Sequence, residues 1–470
     1  MTQVAGHQGK TRDLLAGFAG ELIGPDHPGY GRARTLFNGM FDRRPALIAR
    51  CTGPADVQAA LAYARSRGLV VAVRGGGHSF PGYSSCDGGI VIDTSPMKRA
   101  DIDVAGRTGR FGAGLTWGEL DAATQAHGLA VTGGRVSHTG VAGFTLASGS
   151  GWLERKYGTA AESLLAAQIV TADGRVLRAS TSKHAELLWG LKGGGGNFGV
   201  VTELEFRLHP VGPVIFGGMI MHPRAAAKQL GRLYRDFIEQ APDELSGGFA
   251  LFTAPSKEFV PRQVRGKPAC GLTIFSAGDP AEGEKAFRPL LHWGQPWVRR
   301  AGPMPYTEMQ RLIDPEHPWG ISVYAKNDYL HQLPGQAIDT MIDAFRAPRS
   351  PFTHLYLCPL GGALARSDRS AMAQSLPGAP WTYYLLAQWW DPAVASPEIA
   401  WARRFMDTMR QWSVDKAPAN FIAADEGTGR LRSSYGNQTF DRLVALKNNY
   451  DPGNVFALNP NIPPSPTPTR

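Results

Sequence analysis

The sequence predicts an α+β protein, and three observations carry that reading. Residues 54–68 (PADVQAALAYARSRG) have alanine-rich helical periodicity and lead into an apolar strand over 69–73 and then a glycine run, so a helix feeds a strand that feeds a loop. Between 213 and about 416, strand-like runs alternate with helical ones, the pattern of an antiparallel sheet with helices on one face. Between these regions stands His209-Pro210-Val211-Gly212-Pro213, where two prolines flanking a glycine cannot continue a ladder.

In the first region, residues 90–93 read as a second short strand, 116–127 as an amphipathic helix, 167–179 as a hairpin turning at Ala172-Asp173-Gly174, and 199–208 as an alternating strand. In the middle, strands are expected over 214–221, 247–252, 269–276, 321–328, 352–360 and 381–390, and helices over 224–239, 335–346 and 397–413. A last helix over 441–449 ends at Asp451-Pro452-Gly453, and the tail from Pro463 is proline-rich and frayed. The expected division is 1–212, 213–416 and 417–470, with no internal repeat.

Composition narrows the class. With 470 residues, 43% hydrophobic, 19% charged, 57 Gly and 35 Pro, the chain is loop-rich and globular, and it can bury a large core. No run reaches the roughly 18 uncharged apolar residues of a membrane span. The net charge of +9 comes from scattered basic residues, with no aromatic-interleaved patch, so neither nucleic acid nor membrane is an expected partner. Residues 1–30 contain acids and no uninterrupted apolar core; this predicts no leader and a cytoplasmic protein. Cys51, Cys86, Cys270 and Cys358 lack CxxC spacing, so they are expected to be reduced and buried, with no metal site.

Gly194-Gly195-Gly196-Asn197-Phe198-Gly199 satisfies GxGxxG, but a helix is expected before it and a strand after it, the reverse of the dinucleotide fingerprint. No Walker lysine, GxSxG or HExxH is present. What remains is a set of glycine loops: 74–79 (RGGGHS), 133–151 and 193–199. Any one of them could be a tight turn. Together, successive glycine N–H groups could cradle an extended diphosphate.

At this point a resemblance becomes specific. Residues 73–79 with 86–93, Ser137-His138-Thr139-Gly140-Val141-Ala142-Gly143, 191–201, Tyr450-Asp451-Pro452 and Asn459-Pro460-Asn461-Ile462 resemble the berberine bridge enzyme-like FAD-linked oxidases, nearest their monocovalent 6-hydroxynicotine oxidase-like branch. The likeness is strong over the first 210 residues and the last 30, and weak in the middle. It implies the vanillyl-alcohol oxidase, or PCMH-type, fold: an FAD domain of two α/β subdomains made from both chain ends, with a central substrate domain roofing the flavin. It implies covalent FAD through the 8α-methyl carbon on His78, where the residue alone reads as a loop histidine facing phosphate. Arg74, Gly75, Gly76, Gly77, Ser79, Gly82, Ser137, Thr139, Gly140, Gly143, Gly151, Asn197, Gly199, Val200, Val201, Asn459 and Asn461 are the implied cofactor contacts. Where relatives carry a second, cysteinyl bond this chain has Val136, so one bond is expected. Ala147-Ser148 stands where two glycines are common.

A flavin oxidase needs a hydride donor near N5, a base, and room for dioxygen. By resemblance, Thr139 and Gly140 lie beside the N5 edge. The family's Gly-Ala-Tyr-x-Asn-Tyr segment corresponds to Ala419-Asn420-Phe421-Ile422-Ala423-Ala424, read as lacking both phenol and amide. Alternation then nominates His354, Tyr356 and Cys358 on one strand, with Leu355 and Leu357 facing helices, and Thr382, Tyr384 and Gln388 on another. Tyr356 and Tyr384 are expected nearest the substrate, with Gln388 orienting it; Tyr324 and Lys326 are weaker candidates, and each tyrosine also suits a core. The expected activity is hydride removal from a C–H beside O or N of an aromatic or polycyclic molecule, with dioxygen reduced to hydrogen peroxide, by a monomer or homodimer. The alternatives are an oxygenase or oxidative cyclase of secondary metabolism, and a non-redox protein keeping flavin structurally.

Overall fold

The computed structural model describes residues 17–346, 348–374 and 378–466; the first sixteen residues, read above for a leader, and the last four of the tail lie outside them. A four-stranded sheet runs Glu21–Ile23, Leu47–Arg50, Ile90–Asp93, Val71–Arg74, with its last two pairings parallel. The helix Pro54–Arg67 makes the crossover between Leu47–Arg50 and Val71–Arg74, packs Val57, Ala60, Leu61 and Ala64 into the core beside the sheet, and stops at Gly68 with φ +59°. The 74–79 loop therefore leaves the carboxyl end of a parallel strand, where open α/β sheets bind ligands.

A five-stranded antiparallel sheet follows, in the order Ala100–Asp103, Thr108–Gly112, Val200–Arg207, Leu164–Val170, Val176–Ser180. The helix Trp117–Gln125 begins in a capping box of Thr116 and Glu119. Helix Ala185–Leu191 precedes and strand Val200–Arg207 follows the GxGxxG loop, the order that argued against a Rossmann turn. His209–Pro210 does pair, in a two-residue ladder with Leu129–Ala130, so the expected break is shorter than the sequence suggested.

The middle of the chain builds a seven-stranded, fully antiparallel sheet in the order Val298–Pro305, Val214–Pro223, Pro268–Ser276, Leu245–Thr253, His354–Pro359, Trp381–Trp389, Ser322–Leu330. Helices Ala227–Glu239, Pro280–Leu291, Gly335–Ala344 and Ala395–Met409 bury Tyr234, Phe287, Met341 and Phe405 with Leu355, Leu357, Tyr383 and Leu385 of the sheet. Strand Val298–Pro305 escaped the sequence reading because VRRAGPMP is an arginine- and proline-bearing edge. Helix Pro280–Leu291 escaped because it contains Gly283 and Pro289.

Helix Asn437–Tyr450 returns to the first region and packs Leu443 and Leu446 into the core that holds Leu188 and Phe198. Lys447, fully buried, bonds Asp451 at 2.7 Å and donates to the Asn197 and Phe456 carbonyls, fastening this segment to the third glycine loop. All four cysteines are free and buried, and no helix among the described residues is long and apolar enough to cross a membrane.

Candidate active site

The glycine loops and the sheet enclose one cavity of about 820 Å³. One wall is Gly75, Gly76, Gly77, His78 and Ser79; Thr139, Gly140 and Gly143; Gly195, Gly196, Gly199 and Val201; and Asn459 from the chain's end. The opposite wall is the face of the seven-stranded sheet turned away from those four helices, with Met219, Thr273, Tyr329, His354, Tyr356, Tyr384 and Leu386.

His78 sits at the seam. Its ring stacks on Phe37 at 4.2 Å and 10°, and meets the edge of Trp319 at 5.6 Å. Its Nε2 lies 2.7 Å from Nδ1 of His138, and its Nδ1 has a long 3.5 Å contact with Thr139 Oγ1. Burial, reinforced by His138, pushes its pKa down to about 3, so the imidazole is neutral.

The sheet face follows the predicted alternation in part. Tyr356 lies across Gly248, where an added Cβ would stand 2.4 Å from its Cζ, and its hydroxyl is bonded to Thr273 two strands away. Tyr384 donates to Ser150 Oγ at 3.2 Å, and its ring lies 5.0 Å from Phe421. Ser150 Oγ also accepts from Arg135 Nη1 at 3.2 Å and lies beside Glu154, whose Oε1 takes Arg135 Nη2 at 2.8 Å. Glu154 Oε2 has no partner. Burial holds the Glu154 carboxyl above its ordinary range against the pull of Arg135, and burial also raises the Tyr384 phenol.

Several nominated residues stand elsewhere. Arg74 turns back to Asp93 at 2.6 Å, its register partner on the neighbouring strand. Gly82, at φ +74°, backs onto the Phe41 ring, and Ser137 donates through N and Oγ to Asp314. Gly151 abuts the Gly133 carbonyl, Val200 is core, and Asn197 staples Gly194, Pro460 and Ile462. Asn461 is not part of the wall, although its Oδ1 is buried without a partner. Gln388 is fully buried behind His317, its Nε2 3.3 Å from that ring, and Cys358 is buried behind the wall. Tyr324 donates to Asp425 and Lys326 pairs with Glu426 at 2.9 Å, both away from the cavity. Of the 419–424 stretch, Asn420 and Phe421 line the cavity, and Asn420 supplies the amide that the sequence register had denied.

Residues 45–180 match the FAD binding domain family model, and 419–463 match the berberine and berberine-like model. An FAD-linked oxidoreductase of Dictyostelium discoideum is 28% identical over 433 residues, covering 89% of each chain. The (R)-6-hydroxynicotine oxidase of Paenarthrobacter nicotinovorans is 39% identical over 214 residues, 46% of this chain and 47% of its own. The crystal structure of 6-hydroxy-D-nicotine oxidase from Arthrobacter nicotinovorans superposes with a TM-score of 0.83 at 27% identity, covering 95% of this chain and 98% of that one. The chain carries an FAD binding domain and a berberine-like segment, and along its length it is similar to the berberine bridge enzyme-like FAD-linked oxidoreductases.

The residues of this oxidoreductase fit its cofactor. Gly76 and Gly140 touch through their backbones, leaving a glycine-floored trough with room for a diphosphate and no side chain to obstruct it. Asn459 Oδ1 on that wall is buried without a partner, an acceptor that a hydroxyl or amino group of a bound dinucleotide would satisfy. Sequence reasoning missed Arg135, Ser150, Glu154, His138 and His317. The first three sit beside the nominated glycines, but nothing local marks a charge pair that forms only when the loop folds over the one-turn helix Glu154–Tyr157.

Proposed function

We propose that the chain is an oxidase that removes a hydride from a C–H bond next to oxygen or nitrogen of a small, uncharged aromatic or polycyclic molecule. Dioxygen is the final acceptor, and FAD is bonded through the His78 imidazole. The observation that carries this reading is the single cavity, with the neutral His78 at the seam of the glycine wall and Tyr384 on the wall opposite. Bound FAD supplies the hydride acceptor and passes the electrons to dioxygen. The chain's own residues handle position and protons. Aromatic and apolar side chains, Phe421, Leu386 and Met219 among them, exclude water around a flat substrate.

Arg135 and Glu154 neutralise each other within the wall, which suits a substrate without net charge. The substrate's proton is taken at Tyr384 Oη as the phenol passes its own to Ser150 Oγ and Ser150 passes its own to Glu154. Glu154, held above the ordinary carboxylate range, is suited to keep it. Thr139 and Gly140 leave space for dioxygen, and Val136, on the cavity wall, offers no nucleophile for a second bond. On this reading the flavin-binding part is 1–212 with 417–470, and 213–416 binds substrate.

The test is a panel of phenols, benzylic alcohols, cyclic amines and hydroxypyridines, followed by peroxide release under isotope-labelled dioxygen. Turnover with label only in peroxide supports the oxidase. Label in the organic product replaces it with an oxygenase, and bleaching by no compound in the panel overturns the redox reading.

A further inference from the structure

We propose that His138 is the positioning residue for cofactor attachment: it holds His78 in the tautomer whose Nδ1 lone pair is free, and accepts the His78 Nε2 proton as the bond forms. This rests on the covalent reading above.

The tautomers follow from the hydrogen bonds. The His317 backbone faces the His138 ring and favours a proton on it, as a carbonyl acceptor does. His138 Nδ1 already faces His78 at 2.7 Å, so the nitrogen left to face that carbonyl is Nε2. A neutral imidazole carries one proton, which leaves His138 Nδ1 bare and makes it the acceptor from His78 Nε2–H. The proton of His78 is thereby placed on Nε2, and its Nδ1, with only the 3.5 Å Thr139 contact, keeps its lone pair. Phe37, stacked at 4.2 Å, and Trp319, edge-on at 5.6 Å, fix the plane of the ring.

Both imidazoles are held neutral mainly by burial, the condition for a nucleophile and an acceptor. The Asp314 carboxylate, anchored by Ser137 N and Oγ at 2.8 and 2.5 Å, favours positive charge on His138. His138 can therefore carry a proton transiently.

The step balances. A bond forms between His78 Nδ1 and the flavin 8α carbon, and one C–H of that methyl group breaks. That hydrogen and the Nε2 hydrogen of His78 leave with two electrons on dioxygen, as hydrogen peroxide. His138 Nδ1 is the first stop of the Nε2 proton.

Flavin-starved full-length chain, wild type and the variants His138→Ala and His138→Gln, is mixed with FAD in air. Aliquots are denatured over time and read for flavin mass on the protein and for retained colour. Non-covalent FAD uptake is measured on the same samples by quenching of flavin fluorescence. His138→Ala should take up FAD normally yet attach it about 100-fold more slowly, the scale of a lost acid–base partner. His138→Gln, whose amide oxygen can accept from His78 and whose N–H can reach the His317 carbonyl, should recover most of that rate. Attachment in His138→Ala at the wild-type rate overturns the proposal, as does loss of non-covalent uptake in both variants, which marks a structural role. Wild type that never gains flavin mass overturns the covalent reading instead.

Discussion

Gly76 and Gly140 pack backbone against backbone: a Cβ on Gly76 would stand 2.3 Å from the Gly140 nitrogen, and one on Gly140 would stand 2.3 Å from the Gly76 nitrogen. Two glycine loops far apart in sequence thus meet where side chains would hold them apart. Gly76→Ala or Gly140→Ala should cost about 2–3 kcal/mol, as overpacking does, and lower flavin content. Urea unfolding and the ratio of flavin to protein absorbance check this.

Ser148, where the family resemblance has glycine in common use, holds φ +86°, a left-handed conformation, and it lines the cavity. Ser148→Gly should stabilise the protein by about 1 kcal/mol, the strain of a side chain there less the added freedom of the unfolded glycine. Chemical denaturation of the paired samples reads it; equal or lower stability would contradict it.

Glu154→Gln and Ser150→Ala interrupt the same proton path at its end and its middle. Each should keep normal flavin content and lose about 100-fold in the rate of flavin bleaching by a substrate found in the panel. The double variant should lose no more than the worse single one. Additive losses in anaerobic stopped-flow would separate the two residues.

The readable and unreadable parts of this site divide along physical lines. Alternation placed Tyr356 and Tyr384 on the cavity face and Leu355 and Leu357 on the helix face, because a pleated strand sorts neighbours by parity alone. Parity gives the face but not what covers it: Gln388 shares that face with Tyr384, yet His317 lies over it. Arg74 looked like part of the cradle from its place in RGGGHS, but the parallel register sets Asp93 beside it. The His78–His138 and Arg135–Glu154 pairs are products of loop packing, which no local period encodes.

Asp121 is buried, takes one hydrogen bond from Gln310 at 2.8 Å, and leaves Oδ1 unpartnered; burial lifts its pKa from an ordinary 3.8 to about 7. Because the folded carboxyl binds its proton more tightly than the unfolded one, its contribution to stability is complete below about pH 4 and is lost as pH rises through 7. Denaturant unfolding between pH 4.5 and 8 should lose up to about 1.4 kcal/mol per pH unit from this group. Asp121→Asn should flatten that slope.

Lys447 and Asp451 are both wholly buried and 2.7 Å apart. Lys447→Met takes away the ion-pair partner of the buried Asp451, and should destabilise by about 3–5 kcal/mol, loosening the C-terminal segment from the Asn197 loop. Lys447→Met with Asp451→Asn should be less damaging than Lys447→Met alone. Proteolysis of the segment after Tyr450 under native conditions reads the loosening directly.

Tandem mass spectrometry of the digested holoprotein decides whether His78 is bonded to flavin. The peptide containing His78 is expected to carry the mass of FAD, less the two hydrogens lost on attachment, with the fragment ions placing it on that histidine. The same peptide at its bare mass, with all flavin in the acid supernatant, would contradict that attachment.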